Sequence, residues 1–374
     1  MRKTFIFRAK ISKDTESRNN DWLDICREVY NSALNQRISI YKKTKKSVSC
    51  YDQQNQLVTI KKDFPYVRNV GSQCLQDVLE RLDKAYKAFF RRVKAGENPG
   101  FPRFKNRQSY NSFTLKQTGY KLDGRYLYIT NIGRFKLFLS RPIGGNIKTV
   151  TIRKTPTGKW FVAFSCDNVQ AKEFPQTNKE VGIDVGIKSF AVDSEGGRVS
   201  NPKFLRDSEK LIRRRCRKLS RRKKGSARRN KARILVATTH EKIGNQRKDF
   251  LHKASNKYIE NFQTIYIEKL KIVNMVRNKY LSKSISDSSW GMFFGFLSYK
   301  AENAGRKVIK VKPNGTSQKC SNCHENVPKN LSVRIHNCLH CGLRIDRDLN
   351  AAINILQDGQ SCQAPTSEML ELVA

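Results

Sequence analysis

The sequence predicts an α+β multidomain protein. A small β-barrel carries a helical insert, and an α/β layer follows that carries a cysteine-rich insert of its own. Three observations predict this. Strand-like runs crowd between 126 and 166, strands alternate with helices after 180, and four of the ten cysteines gather as Cys320, Cys323, Cys338 and Cys341. A length of 374 residues allows two or three domains. Lys plus Arg number 74 against 32 Asp plus Glu, a formal net charge of +42. A charge that large calls for a polyanionic partner and argues against a small-molecule metabolic enzyme. Hydrophobic residues, at 38 %, are too many for a wholly disordered chain. No run approaches the 18 or so apolar residues of a membrane span, so no membrane partner is expected. The start of the chain lacks the apolar core of a secretory signal, and a reducing cytosol is the expected compartment.

The elements follow in order. Residues 3–11 alternate with period 2, with Phe5 and Phe7 on one side. From about 20 to 43 the apolar spacing turns helical, through Cys26, Val29 and Ala33. A second helix is expected over 72–94. Leu75, Leu79, Leu82, Tyr86, Phe89 and Phe90 form its stripe, and Arg91, Arg92 and Lys94 suit its C-terminal end. The two are expected to pack as a hairpin. Gly100 and Pro102 break the helix, and strands are expected at 126–130, 134–139, 148–153 and 159–166. With the N-terminal strand they make the barrel. The later half reads strand (181–187), strand (189–193), a long basic helical stretch, strand (263–268), helix (289–304), strand (307–311), the cysteine cluster and a helix over 349–356. Residues 357–374 hold no Lys or Arg and read as a tail.

Three carboxylates sit where acids are awkward. Asp184 lies within Val181-Gly182-Ile183-Asp184-Val185-Gly186-Ile187, Glu268 ends Ile265-Tyr266-Ile267, and Asp348 opens the last helix. A carboxylate in an apolar strand must be paired, neutralised or bound to a cation. Three of them could share divalent metals for phosphodiester cleavage, and Mg²⁺ suits such a site. Each also has a plain structural reading: Asp348 as a helix cap, Glu268 as a strand-end surface residue.

Cys320-x₂-Cys323 and Cys338-x₂-Cys341 stand fourteen residues apart, close to zinc-ribbon spacing. Four thiolates fill a tetrahedral Zn²⁺ and leave no open position, so this zinc is structural. His324, His336 and His340 are alternative ligands that break the paired geometry and are expected to be solvated. Asp348 follows seven residues after Cys341, so the zinc is expected to steady the approach to it. Residues 210–233 hold fourteen Lys or Arg among 24, including Arg213, Arg214, Arg215, Arg221, Arg222, Lys223, Lys224, Arg228 and Arg229. Their mutual repulsion opposes helix formation unless phosphates neutralise it, so these are the candidate nucleic-acid contacts. Trp290 is expected in the core.

Asp184 in GIDVGI, Glu268 in IYIEKL and Asp348 in DRDLNAAINIL resemble the three split motifs of a RuvC-like nuclease domain. Adding Thr316-Ser317-Gln318-Lys319-Cys320 and the four cysteines, the chain resembles the TnpB family, transposon-encoded relatives of type V CRISPR effectors. Pro102-Arg103-Phe104-Lys105 and the strands around Gly158-Lys159-Trp160 also look like that family's N-terminal half. The resemblance implies an RNA-guided DNA endonuclease: a wedge-type β-barrel (1–11 and 99–179), a helical recognition insert (12–98), an RNase H-like (RuvC) domain (180–311 and 346–356), a zinc ribbon (312–345) and a tail (357–374). It implies Asp184, Glu268 and Asp348 as catalytic acids holding two Mg²⁺, with Asp346 the alternative for the third. It also implies a monomer with one guide RNA, acting on double-stranded DNA in a prokaryotic cytoplasm beside the nucleoid. The rivals are a guided DNA-binding repressor that does not cut, a transposase acting without RNA, and a miniature type V CRISPR effector.

Overall fold

The computed structural model describes residues 1–171, 174–313, 315–330 and 332–362. The chain forms two compact units that divide between Gln170 and Ala171.

In the first unit, burial alternates along β1 (Lys3–Lys10), with Phe5, Phe7 and Ala9 inward. Ser12 then caps α1 (Lys13–Thr44), its hydroxyl accepting from the Thr15 amide at 3.1 Å. That cap, with Asp14 and Glu16 in the first turn, starts the helix before residue 20, where apolar spacing alone sets it. The polar stretch after α1 holds α2 (Cys50–Asn55), closed by a Ser49–Asp52 capping box, and α3 (Leu57–Asp63). α4 (Ser72–Lys94) buries Leu75, Leu79 and Leu82 and packs on α1 as the expected hairpin.

Six further strands follow: β2 (Ser112–Leu115), β3 (Tyr120–Asp123), β4 (Tyr126–Ile129), β5 (Gly133–Phe138), β6 (Asn146–Lys154) and β7 (Trp160–Asp167). With β1 they form one antiparallel sheet in the order β2-β6-β7-β1-β5-β4-β3. Its two outer strands, β2 and β3, are joined by residues 116–119 alone. Six flat strand spacings would part them by about 29 Å, and so short a link reaches at most about 17 Å. The sheet is therefore curled. β2 and β3, short strands at the two edges of the sheet, are not among those expected from the sequence.

The second unit is built on β8 (Glu180–Val185), β9 (Ser189–Asp193), β10 (Arg198–Ser200), β11 (Thr264–Glu268) and β12 (Lys307–Val311), in the order β10-β9-β8-β11-β12. β8, β11 and β12 run parallel, and β9 and β10 pair antiparallel. The basic stretch is two helices, α5 (Phe204–Ser220) and α6 (Ala227–Asn261), between β10 and β11. α7 (Ile272–Met275), α8 (Ser282–Ser288) and α9 (Trp290–Asn303) lead from β11 to β12. The hairpin β13 (Ile335–Asn337) and β14 (Arg344–Asp346) precedes α10 (Arg347–Ser361).

Period-2 alternation divides the two faces. Val181, Ile183, Ile265 and Ile267 join Leu251, Tyr258, Phe293 and Trp290 in one core with α6 and α9. On the other face Tyr266 and Val311 pack with Ile355 of α10. A Cβ on Gly182 would lie 2.2 Å from the Ala352 carbonyl oxygen, and one on Gly359 would lie 2.0 Å from the Tyr266 ring. Strand and helix can approach this closely only because both positions are glycine.

Two expected boundaries move. Residues 174–179 belong with the second unit rather than the first: Phe174 packs on its core and the Pro175 carbonyl accepts from Arg306 at 2.6 Å. The tail expected from 357 begins as the last turn of α10, because the Gln357 amide donates to the Ser321 carbonyl and the Gln360 amide to Glu180. The rest of that tail, 363–374, lies outside the described residues.

Candidate functional site

Parallel register brings two of the acids together. Gly182 pairs with Tyr266 and Ile183 with Ile267, so one further step sets Asp184 beside Glu268. Both lie on the face that meets α10, since Gly182 and Tyr266, two residues before each, contact that helix. The first turn of α10 carries Asp348 to the same end of the sheet. Desolvation, then the charges of Glu268 and Asp348, push the Asp184 carboxyl up to about 8. Burial likewise raises Glu268, against a hydrogen bond from Thr316 that lowers it. All three acids are partly exposed, so an ion from solvent can reach them.

The neighbouring acid has a different job. Asp346 is the N-cap of α10, accepting from the amides of Asp348 at 2.9 Å and Leu349 at 3.3 Å, and it pairs with Arg198 at 2.9 Å. Burial works against its ionised form, yet Arg198 and those amides hold its carboxyl below the usual range. The capping role considered for Asp348 thus falls to Asp346. Asp348 instead faces Arg334, 3.7 Å away.

The cysteines assemble as expected. Cys320 and Cys341 sulfurs lie 3.7 Å apart, Cys323 and Cys338 sulfurs 3.6 Å, and all four fall within 4.8 Å of one another. A tetrahedron of sulfurs at zinc-bond length has edges of about 3.8 Å, so the set fits Zn²⁺ and is too wide for disulfides. Two turns shape it, with the His324 amide donating to the Cys320 carbonyl and the Gly342 amide to the Cys338 carbonyl. Asn322 and the Leu343 amide draw the Cys341 thiol down to about 6. The Glu325 amide favours a Cys323 thiolate, but desolvation and the neighbouring thiols push it up to about 12. Such crowding calls for a cation. Among the described residues this is the group whose ligand atoms lie that close together; the three carboxylates are spread wider. His324 and His340 are exposed, as expected, whereas His336 is fully buried and contacts Lys329.

The structure sorts the basic stretch into two roles. Arg215 donates to the Leu235 carbonyl at 2.8 Å and the Thr239 hydroxyl at 2.6 Å, tying α5 to α6. Arg229 donates to the carbonyls of Leu219 and Arg222, closing the turn between the helices. Arg213 pairs with Glu209 at 2.5 Å. Arg213, Arg214, Arg221 and Arg222 nevertheless line an open concave face together with Lys210, Arg217 and Lys218. Lys223 and Lys224 stand in the exposed turn and Arg228 on the first turn of α6. Trp290 is buried, as expected.

Comparison with known proteins bears on all of this. The family described as "Probable transposase" matches residues 163–279, and the "Cas12f1-like, TNB domain" matches 290–355. A "Helix-turn-helix domain" family matches 1–46, a region that folds here as β1 and the single helix α1. A Streptomyces pristinaespiralis protein named "Putative RNA-guided DNA endonuclease" is 33 % identical over 90 % of this chain and 84 % of its own. "Putative RNA-guided DNA endonuclease InsQ" of Escherichia coli is 30 % identical over 96 % of this chain and 93 % of its own. The chain belongs to the TnpB family. The fold of this TnpB-family chain is also that of the protein in a Cas12f1–sgRNA–target DNA complex, with a TM-score of 0.60 at 14 % identity over 95 % of this chain and 98 % of that one. No helix among the described residues of this TnpB-family chain is long and apolar enough to cross a membrane.

Proposed function

We propose that this TnpB-family chain is a transposon-encoded, RNA-guided DNA endonuclease. The observation that carries the proposal is the convergence of Asp184, Glu268 and Asp348 at one end of the second sheet, with Asp184 pushed up by burial and by the charges of the other two. A donor set of three oxygen acids suits Mg²⁺, and two ions about 4 Å apart need carboxylates spread wider than one ion does. When bound, such ions supply an activated water and offset charge on the leaving oxygen. The chain's own residues do the rest. Asp184 and Glu268 hold the cations from adjacent strands, and Asp348 does so from the helix that Asp346 caps. The β10-β9-β8-β11-β12 order, with one helical crossover between the parallel strands β11 and β12, supports reading the second unit as an RNase H-like domain of the RuvC kind. The curl of the first sheet supports the wedge-barrel reading, with α1–α4 as the recognition insert. The cationic face of α5 supplies sequence-independent phosphate contacts, while a guide RNA reads the DNA. In this reading one chain and one guide RNA act on double-stranded DNA next to a short flanking motif, in the cytoplasm.

The test is purification of the full chain, sequencing of the RNA that accompanies it, and cleavage of plasmids matching that RNA. Mg²⁺-dependent cutting by the wild type is expected. The Asp184→Ala variant should bind the same target and leave it uncut. Guided binding without cutting by the wild type would instead establish a repressor, and cutting by D184A would remove Asp184 from the site.

A further inference from the structure

Glu268 accepts a hydrogen bond from the Thr316 hydroxyl, 2.5 Å from its Oε1. Thr316 is 4 % exposed and lies between β12 and the first zinc-binding cysteine, Cys320. It is itself held. The Asn354 amide donates to the Thr316 carbonyl at 2.8 Å and to the Lys319 carbonyl at 2.7 Å. Asn350 donates to the Lys319 carbonyl at 2.8 Å and accepts from the Ser321 amide at 3.0 Å. Gln357 donates to the Ser321 carbonyl at 3.0 Å. Positions 350, 354 and 357 form one stripe of α10, and Asn350 and Asn354 are almost wholly buried.

The three amides satisfy an irregular, buried backbone, as any fold must. That need explains the stripe. It does not call for a hydroxyl aimed at a carboxylate of the candidate site. A ligand carboxylate on a side chain with three rotatable bonds gains from a fixed partner, because fixing its rotamer beforehand removes an ordering cost from cation binding.

We infer that Thr316 is a positioning residue for Glu268, fastened by Asn354 to the same helix that presents Asp348. Its hydroxyl occupies Oε1, sets the carboxylate's orientation and leaves Oε2 for the cation. The zinc knuckle and the acidic site are thereby joined through one short segment, 316–321. The inference rests on the reading that Glu268 binds a divalent cation.

The experiment measures Mn²⁺ binding by electron paramagnetic resonance to the full RNA-bound chain as wild type, Glu268→Gln, Thr316→Val and Thr316→Ser. Binding lost in E268Q defines the site, and zinc and RNA content are measured in parallel. T316V should weaken that binding about tenfold or more, the usual effect of removing a partner from a metal ligand. T316S, which keeps the hydroxyl, should restore it. Should T316V lose zinc, the smaller Thr316→Ala reads the same quantity. Wild-type Mn²⁺ affinity in a zinc-loaded, hydroxyl-free variant overturns the inference while leaving Glu268 a ligand. Unchanged binding in E268Q removes both, and it is told apart because it appears without any change at Thr316.

Discussion

Asp184 and Asp346 show how environment gives two aspartates opposite behaviour. Asp184 stands at the end of a buried strand, where desolvation and the charges of Glu268 and Asp348 push it up to about 8 from the ordinary aspartate value of 3.8. The folded chain then keeps a proton that the unfolded chain releases. Stability from this group is full below about pH 4 and is lost as pH rises through 8. In protein without added divalent metal, Asp184→Asn should therefore raise the melting temperature at pH 8 and change it little at pH 4. Added Mg²⁺ should lift the wild type and leave the variant where it was; thermal melts at both pH values decide this. Asp346 instead holds the first amides of α10 and the Arg198 side chain. Asp346→Ala should cost about 1 kcal/mol, the usual loss of a helix cap, and keep cleavage. Asp348→Ala should keep stability and lose cleavage. Paired denaturation and cleavage measurements separate the two, and the reverse order would exchange their roles. The sequence alone made Asp184 conspicuous, as an acid between valines and isoleucines. It held no sign of the Thr316–Glu268 bond, which joins residues 48 positions apart.

At the scale of elements, the α5–α6 hairpin shows why a charge run cannot be read residue by residue. Its root is fixed by Asp287, which accepts from the Leu205 amide at 3.1 Å and from Arg247 at 2.6 Å. Arg215 and Arg229 commit their guanidinium groups to carbonyls within the hairpin. They are the wrong residues to replace in a binding test. Arg214, Arg217, Lys218 and Arg221 line the open face. Changing these four to Gln should weaken DNA binding for every guide alike. It should also flatten the plot of log affinity against log salt by about 0.9 for each phosphate that is no longer neutralised. An unchanged slope would mean a merely solvated face. Arg215→Gln, by contrast, should lower the melting temperature.

Across the whole molecule, the four-cysteine cluster and the final helix come together at the second unit's acidic end. Cys338→Ser should reduce zinc below the expected one ion per chain and impair cleavage, because β14, which follows, leads directly to Asp348. His340→Ala should leave zinc in place, since that side chain is exposed and outside the thiol group. Elemental analysis alongside activity checks both. Ending the chain after Cys362 should leave stability and cleavage nearly unchanged. Ending it after Leu356 should destabilise, because Gln357, Gly359 and Gln360 contact Ser321, Tyr266 and Glu180. Comparing the melts of the two truncations tests what the contacts of Gln357, Gly359 and Gln360 contribute to stability.

By itself the sequence determined the character of the parts. Charge announced a polyanionic partner, cysteine spacing a four-thiolate site, and period-2 runs most of the strands. These are local properties, carried by residues near one another in the chain. The tertiary structure alone decided what distance along the chain hides. Parallel register set Asp184 beside Glu268, and a four-residue link between outer strands forced the first sheet to curl. The N-cap of α10 fell to Asp346, which leaves the Asp348 side chain to face Arg334 and to act by its charge on Asp184, and the contacts of Gln357, Gly359 and Gln360 drew part of the expected tail into α10. Each of these depends on which groups meet in space. Composition and spacing limit such meetings, and packing and hydrogen-bond satisfaction select among them.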